Sequence, residues 1–134
     1  MKVIACVDDH MGLMFNHRRQ SQDRIVRQKI NEWNEDIYMN HYSYELYKDD
    51  VEKCIVDDHY IENCDHHFCL VEDINLKGKE KDIDSLVLFY WNRKYPADVY
   101  LDIDLTQYTM IHEEEFEGSS HAITMRVYER KSHG

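Results

Sequence analysis

The sequence predicts a single α/β domain over residues 1–134, with three layers in which a mainly parallel sheet lies between helices. Three observations support this fold class. Short apolar runs typical of buried strands recur along the first two thirds of the chain. Between the first of these runs lie segments whose apolar residues have helical spacing, which is typical of a parallel sheet with helical connections. Near the C terminus, two longer segments with alternating apolar residues flank a short turn, which predicts an antiparallel C-terminal hairpin.

The strands are predicted from short runs of branched and aromatic residues. Five of these runs indicate buried strands, at residues 3–7, 37–39, 54–56, 68–71 and 86–91. Residues 99–103 follow Pro96 and are expected to extend an edge of the sheet. The hairpin is predicted over 108–116 and 122–130, joined by a Glu-Gly-Ser-Ser turn.

Two helices are predicted from their caps and apolar spacing. The first follows Ser21, a plausible N-cap, because the next residues place one apolar stripe on one side of a helix: Ile25, Val26, Ile30 and Trp33. The second is short and covers residues 44–50, with Ser43 expected as its cap.

Composition excludes several classes of protein. The 134 residues carry a net charge of −11, with 27 acidic and 16 basic residues, which disfavours direct binding to nucleic acid phosphates. No apolar run approaches the roughly 18 residues of a membrane span, and the N terminus lacks the pattern of a signal peptide. Cys6 and Cys69 lie inside apolar runs, so we expect reduced thiols and a cytoplasmic protein.

Three segments resemble the dihydrofolate reductase family. The opening VIACVDDHMGLMFN is similar to the family's first strand and turn, and YMNHYSYELY is similar to its Met-Gly-Arg-x-Thr segment. The longest match is the end of the chain, YPADVYLDIDLTQYTMIHEEEFEGSSHAITMRVYERK, which resembles the family's C-terminal hairpin. The resemblance covers the chain from end to end and implies the reductase topology.

The resemblance also shows which functional residues are missing. Asn40, His41 and Ser43 stand where the family has the Gly, the Arg and the helix-capping Thr of its cofactor site. The family's Leu-Pro-Trp is absent, and Asp23 lies one or two positions from the expected catalytic carboxylate. A shift of one position turns a helical side chain by roughly 100°. Asp23 is therefore either a displaced catalytic residue or an acidic residue in a helix's first turn.

The expected pyrophosphate site has also changed. The family binds the NADPH pyrophosphate with a Gly-Gly pair after a central strand, and this chain has Glu72-Asp73 there. Two carboxylates repel a pyrophosphate and fill the space that it needs. The resemblance therefore implies that the family's NADPH site is lost, with NADP(H) kept as a weaker alternative.

One basic cluster lies within this acidic sequence. In a reductase-like fold, this cluster would lie where the first loop crosses the mouth of the pocket. It predicts either an anion-binding surface or a solvated loop. Its residues are Asn16, His17, Arg18, Arg19 and Arg24. Several Cys and His residues between positions 54 and 69 are of types that bind zinc, but their spacing is not that of a zinc site, and no metal is predicted.

Three functional hypotheses remain open from the sequence. The first is a binding or regulatory protein that has lost the folate and NADPH sites and recognises an unknown small molecule or an acidic or basic protein. The second is a divergent NADPH-dependent reductase of pteridine or nucleotide-linked substrates, with Asp23 as its carboxylate. The third is an acidic decoy for a nucleic-acid-processing protein.

Overall fold

The computed structural model describes residues 1–131. Its helices and strands in chain order are β1 (Lys2–Val7), β2 (Gly12–Phe15), β3 (Arg18–Arg19), α1 (Arg24–Glu32), β4 (Ile37–Met39), α2 (His41–Tyr47), β5 (Cys54–Val56), α3 (Tyr60–Asn63), β6 (Phe68–Leu70), β7 (Ser85–Tyr90), β8 (Val99–Tyr100), β9 (Tyr108–Glu117) and β10 (Ala122–Arg130). Single 3₁₀ turns lie at Glu80–Asp82 and Leu105–Gln107.

The central sheet has seven strands in the order β5-β4-β6-β1-β7-β10-β9. Strands β5, β4, β6, β1 and β7 are mutually parallel. Strand β10 is antiparallel to both β7 and β9, so the C-terminal hairpin completes one side of the sheet. The predicted mainly parallel sheet with an antiparallel C-terminal hairpin is confirmed.

Two apolar cores lie on opposite faces of this sheet. Residues of β1 alternate between them, because successive side chains of a strand point to opposite faces. Val3 packs on one face and Ile4 on the other. Helices α1 and α2 cover the Ile4 face, whereas α3 and the segments around Leu76 and Leu101 cover the Val3 face. The predicted three-layer arrangement is therefore confirmed, although one outer layer contains just a short helix and irregular chain.

The starts of both predicted helices are corrected. Asp23, and not Ser21, is the N-cap of α1, because its carboxylate accepts hydrogen bonds from the amides of Ile25 at 2.8 Å and Val26 at 3.3 Å. Helix α2 begins at His41 and is capped by Asn40, three residues before the expected start. Ser43 is inside its first turn, and its side chain is free for another contact.

A second, smaller sheet was missed from the sequence. Its order is β3-β2-β8, and β2 and β3 form a hairpin around Asn16 and His17. Both turn residues have positive φ angles, 52° and 63°, as a two-residue hairpin turn requires. A Cβ on Gly12 would lie 2.7 Å from that of Ala97, so glycine allows the loop to pack closely there. Residues 99–103, predicted as one edge segment, supply β8 over their first two residues.

No helix within residues 1–131 is long and apolar enough to cross a membrane.

Candidate functional site

The parallel strands β4, β6 and β1 end at the same edge of the sheet. After β1, the chain forms β4, β5 and β6 on one side of β1, and after β6 it crosses to β7 on the other side of β1. The direction of the strand order therefore reverses between the neighbours β6 and β1. Ligands of open α/β sheets bind in the crevice at such a point. Asn40 follows β4, Glu72 and Asp73 follow β6, and Asp8 follows β1. This edge is therefore the candidate site.

Glu72 is held by an arginine from the small sheet. Arg19 donates two hydrogen bonds to its carboxylate, from Nε at 2.9 Å and from Nη2 at 3.0 Å. The Ser43 hydroxyl donates a third, at 2.8 Å, and the Arg19 guanidinium lies 4.4 Å from the ring centre of Tyr42. Burial alone would lower the pKa of Arg19, but the Glu72 carboxylate outweighs it and the net shift is upward. The β2–β3 hairpin is thus fastened across the end of β6.

Asp73 and Asp58 are held in the same way by the other two residues predicted for a cofactor site. The Asn40 side-chain amide lies 3.1 and 3.2 Å from the two carboxylate oxygens of Asp73. The His41 amide donates to Asp58 at 3.1 Å, and the His41 ring nitrogen Nδ1 lies 3.0 Å from the same carboxylate. Asn40, His41 and Ser43 therefore each contact a carboxylate of this chain, at positions where the family resemblance implies contacts with a cofactor.

Asp8 organises the loop that follows β1, and it was not among the residues singled out from the sequence. It is buried, with hydrogen bonds to its carboxylate from four donors: the amides of His10, Gly12 and Tyr95 and the side-chain amide of Gln20. Burial raises its pKa, but these hydrogen bonds outweigh that effect and the net shift is downward. A carboxylate directly after a buried strand is the sequence signal that could have identified it.

Asp23, the predicted catalytic residue, is buried and bound to the hairpin turn. Besides capping α1, it accepts hydrogen bonds from the Ser119 amide at 2.7 Å and the Ser119 hydroxyl at 3.4 Å. A Cβ on Gly118 would come within 2.5 Å of its carboxylate. Asp23 is therefore not an acidic residue within the first turn of α1, as one alternative predicted, but the N-cap that precedes this turn. Through these contacts, Asp23 joins α1 to the β9–β10 turn.

The basic cluster is divided by the fold. Asn16, His17 and Arg18 are exposed at the tip of the β2–β3 hairpin, and Arg24 is exposed at the start of α1. Arg19 is instead half-buried against Glu72. Asp98 accepts a hydrogen bond from the Asn16 amide at 3.0 Å, which fixes the tip of the hairpin. The cluster is therefore not one continuous loop surface.

The Cys and His residues between positions 54 and 69 do not converge. Cys64 and Cys69 are buried in the core, whereas His59, His66 and His67 are exposed. The four cysteines are free thiols. Within residues 1–131, no three His, Cys, Asp or Glu side chains are grouped so that they could hold a metal ion.

Three open cavities surround Asp73, and we call them together the Asp73 groove. The first, about 760 Å³, extends from Asp73 to residues 98–102. The second, about 530 Å³, extends from Asp73 to α3 and residues 74–79. The third, about 540 Å³, lies between Asp73 and the β2–β3 hairpin, where His17 and Tyr42 line it. The groove follows the carboxyl ends of the parallel strands.

Comparison with known proteins identifies the fold. Among solved structures, the chain is similar to a dihydrofolate reductase from Enterococcus faecalis in complex with NADP(H) and RAB-propyl, with a TM-score of 0.65. The match covers 98% of this chain and 96% of that one, at 11% sequence identity. No protein-family model and no curated protein matches the chain. The predicted dihydrofolate reductase-like fold is confirmed, at a low sequence identity.

Proposed function

We propose that this protein uses the dihydrofolate reductase fold for binding or regulation, and that it is not an NADPH-dependent reductase. One observation carries the proposal. Asn40, His41 and Ser43, the positions that the resemblance implies for cofactor contacts, hold Asp73, Asp58 and Glu72 of this chain. Donors that would serve a phosphate are engaged by internal carboxylates.

The charges at the end of β6 support the same proposal. Glu72 is neutralised by Arg19, and the pair lies against Ser43 in the first turn of α2, near the place where the resemblance implies a pyrophosphate. The Asp73 carboxylate, which follows Glu72, is bound by the neutral Asn40 amide and not by a lysine or arginine. Like charges about 4 Å apart repel by about 4 kcal/mol near a protein surface. The residues present therefore do not fit a dinucleotide in the manner of the family.

The hydrogen bonds of Asp23 do not favour a catalytic role for its carboxylate. Both of its carboxylate oxygens accept hydrogen bonds from α1 or from Ser119. A carboxylate engaged in this way serves the fold. The exposed Arg18 on the β2–β3 hairpin remains available to an acidic ligand or partner and is our proposed contact point on this side; Arg24 is exposed separately, at the start of α1.

A titration with NADPH tests the proposal. We expect no change in NADPH fluorescence and no shift in melting temperature up to about 1 mM NADPH, which corresponds to binding weaker than about −4 kcal/mol. An active dihydrofolate reductase serves as the positive control for both readouts. Saturable binding of NADPH in the micromolar range, or oxidation of NADPH in the presence of dihydrofolate, would contradict the proposal and favour the divergent reductase.

A further inference from the structure

The partners of Glu72 form a set of donors that suits any carboxylate. The Glu72 carboxylate accepts two hydrogen bonds from the Arg19 guanidinium, at 2.9 and 3.0 Å, and one from the hydroxyl of the buried Ser43, at 2.8 Å. Two parallel hydrogen bonds from one guanidinium are the arrangement by which arginine recognises a planar carboxylate. The Tyr42 ring packs against the same guanidinium, with 4.4 Å to its centre. Glu72 therefore occupies the position that a ligand carboxylate would take.

This donor set lies at the edge of the sheet where the parallel strands end. Glu72 follows β6, Ser43 is in α2, and Arg19 is on β3 of the small sheet. The Arg19 and Glu72 side chains are 22% and 12% exposed, so solvent reaches both. Tyr42, which packs against Arg19, also lines the third cavity of the Asp73 groove, of about 540 Å³. A ligand that replaced the Glu72 carboxylate has room beside Tyr42 for the rest of its structure.

The neighbouring charges favour a ligand with a single carboxylate. Asp73 and Asp98 line the third cavity, and no lysine or arginine within residues 1–131 does. Exchange of one carboxylate for another at Arg19 leaves the charge of this region unchanged, whereas a phosphate dianion or a pyrophosphate adds negative charge beside two carboxylates. Tyr42 and Val99 supply apolar surface in the same cavity. These features fit a monocarboxylate with an apolar body better than a polyanion.

We propose that the contact between Arg19 and Glu72 is autoinhibitory, and that a monocarboxylate with an apolar body binds Arg19 and Ser43 by displacing Glu72. The inference rests on the proposed function, because it requires this edge of the sheet to bind a ligand other than NADPH. The apparent affinity for such a ligand is reduced by the fraction of molecules in which the pair is open. A pair that is open in about one molecule in ten therefore weakens binding about tenfold. Binding is coupled to release of the β2–β3 hairpin from the end of β6.

An NMR titration with 3-phenylpropionate as the probe tests this inference, at about 0.15 M ionic strength so that weak surface attraction is screened. We expect Glu72→Ala to bind the probe saturably and at least tenfold more tightly than the unmodified protein, with shifts of the Tyr42 and Ser43 amide signals. Glu72→Gln should also bind more tightly than the unmodified protein, because it removes the competing charge, and it decides the test if Glu72→Ala does not fold. 3-Phenylpropanol has the same apolar body without a carboxylate, and we expect no saturable binding of it.

Glu113→Ala is the matched control for a freed arginine. Glu113 accepts a hydrogen bond from Arg126 at 2.6 Å on the C-terminal hairpin, and both side chains are exposed. Its replacement also frees a guanidinium and removes a single negative charge. We expect its affinity for 3-phenylpropionate to stay within twofold of the unmodified protein. Arg19→Ala, added to Glu72→Ala, should weaken binding at least tenfold, because it removes two of the three donors.

Three results overturn the inference. The first is that loss of the Glu72 carboxylate does not tighten binding of the probe, and the second is that Glu113→Ala tightens it equally. The third is that the double variant binds as tightly as Glu72→Ala. NADPH binding to the unmodified protein is measured separately and contradicts the proposed function, whereas a failure of 3-phenylpropionate to bind Glu72→Ala contradicts this inference alone.

Discussion

Two carboxylates near the carboxyl edge of the sheet are bound in different ways. Asp23 accepts hydrogen bonds from backbone amides and from one hydroxyl, all within the scaffold of α1 and the β9–β10 turn. Glu72 accepts from a guanidinium and a hydroxyl, and the guanidinium comes from the small β2–β3 hairpin. Asp23 joins two main elements of the fold, whereas Glu72 joins the end of a central strand to a peripheral hairpin.

The comparison separates two roles that a carboxylate can have within one fold. A carboxylate bound by backbone amides depends on the local geometry of a helix start and a turn. A carboxylate bound by an arginine has its counter-ion within the protein, and the pair lies between the strand and the hairpin. The first kind of contact should dominate stability, and the second should decide what enters the cleft.

The largest expected effect is at Asp23. Asp23→Ala should lower the free energy of unfolding by about 3 kcal/mol, because it removes an N-cap worth about 1 kcal/mol and leaves the Ser119 amide without its partner. Urea unfolding monitored by circular dichroism measures this change. A loss below about 1 kcal/mol would contradict the scaffold role that we assign to Asp23.

Gly118→Ala gives a second way to disturb the same contact. Its new Cβ would lie 2.5 Å from the Asp23 carboxylate and 2.8 Å from the His121 carbonyl oxygen. The turn must shift to accommodate it, so we expect a loss of stability in the same direction as Asp23→Ala while the carboxylate is kept.

The sequence predicted the sheet better than it predicted the site, for a physical reason. Strands such as β1 and β7 are buried on both faces, so their apolar runs identify them without knowledge of their neighbours. The C-terminal hairpin is identified by alternation and a short turn. The role of Asp23 depends on Ser119, which is 96 positions away in the chain, and no local pattern reveals such a contact.

The site shows the same limit. Glu72 was predicted to stand in place of a glycine of the family's site, but its partner Arg19 was assigned to a basic cluster that was read as an anion-binding surface or a solvated loop. The pairing depends on the β2–β3 hairpin, which brings Arg19 across 53 positions of sequence. The Asn16-His17 turn is the one local signal for that hairpin, because asparagine tolerates a positive φ, and it is weak without a glycine.

A smaller effect is expected at Arg19. Arg19→Ala should lower the free energy of unfolding by about 2 kcal/mol, because it leaves the Glu72 carboxylate, whose side chain is 12% exposed, without its counter-ion. Arg18→Ala is the matched control, since Arg18 is exposed on the same strand and should change stability by less than about 0.5 kcal/mol. A double-mutant cycle with Glu72→Gln should give a coupling energy of about 1 kcal/mol. Additive single mutants would show that the ion pair does not fasten the hairpin.

The smallest effect, at Asp8, separates charge from hydrogen bonding. Asp8, like Asp23, is bound mainly by backbone amides. Burial raises the pKa of Asp8, but the hydrogen bonds from Gly12 and the other donors outweigh burial and lower it in the folded protein. A carboxylate whose pKa is lower in the folded protein than in the unfolded chain stabilises the fold at pH values above its unfolded pKa, about 3.9. This stabilisation is lost as the pH falls through the lower pKa of the folded protein. Asp8→Asn should therefore cost about 1 kcal/mol at pH 7 and less at an acidic pH well below the unfolded pKa of about 3.9. Urea unfolding at both pH values measures the difference, and a cost that did not change with pH would mean that the loop after β1 depends on the shape of this side chain and not on its charge.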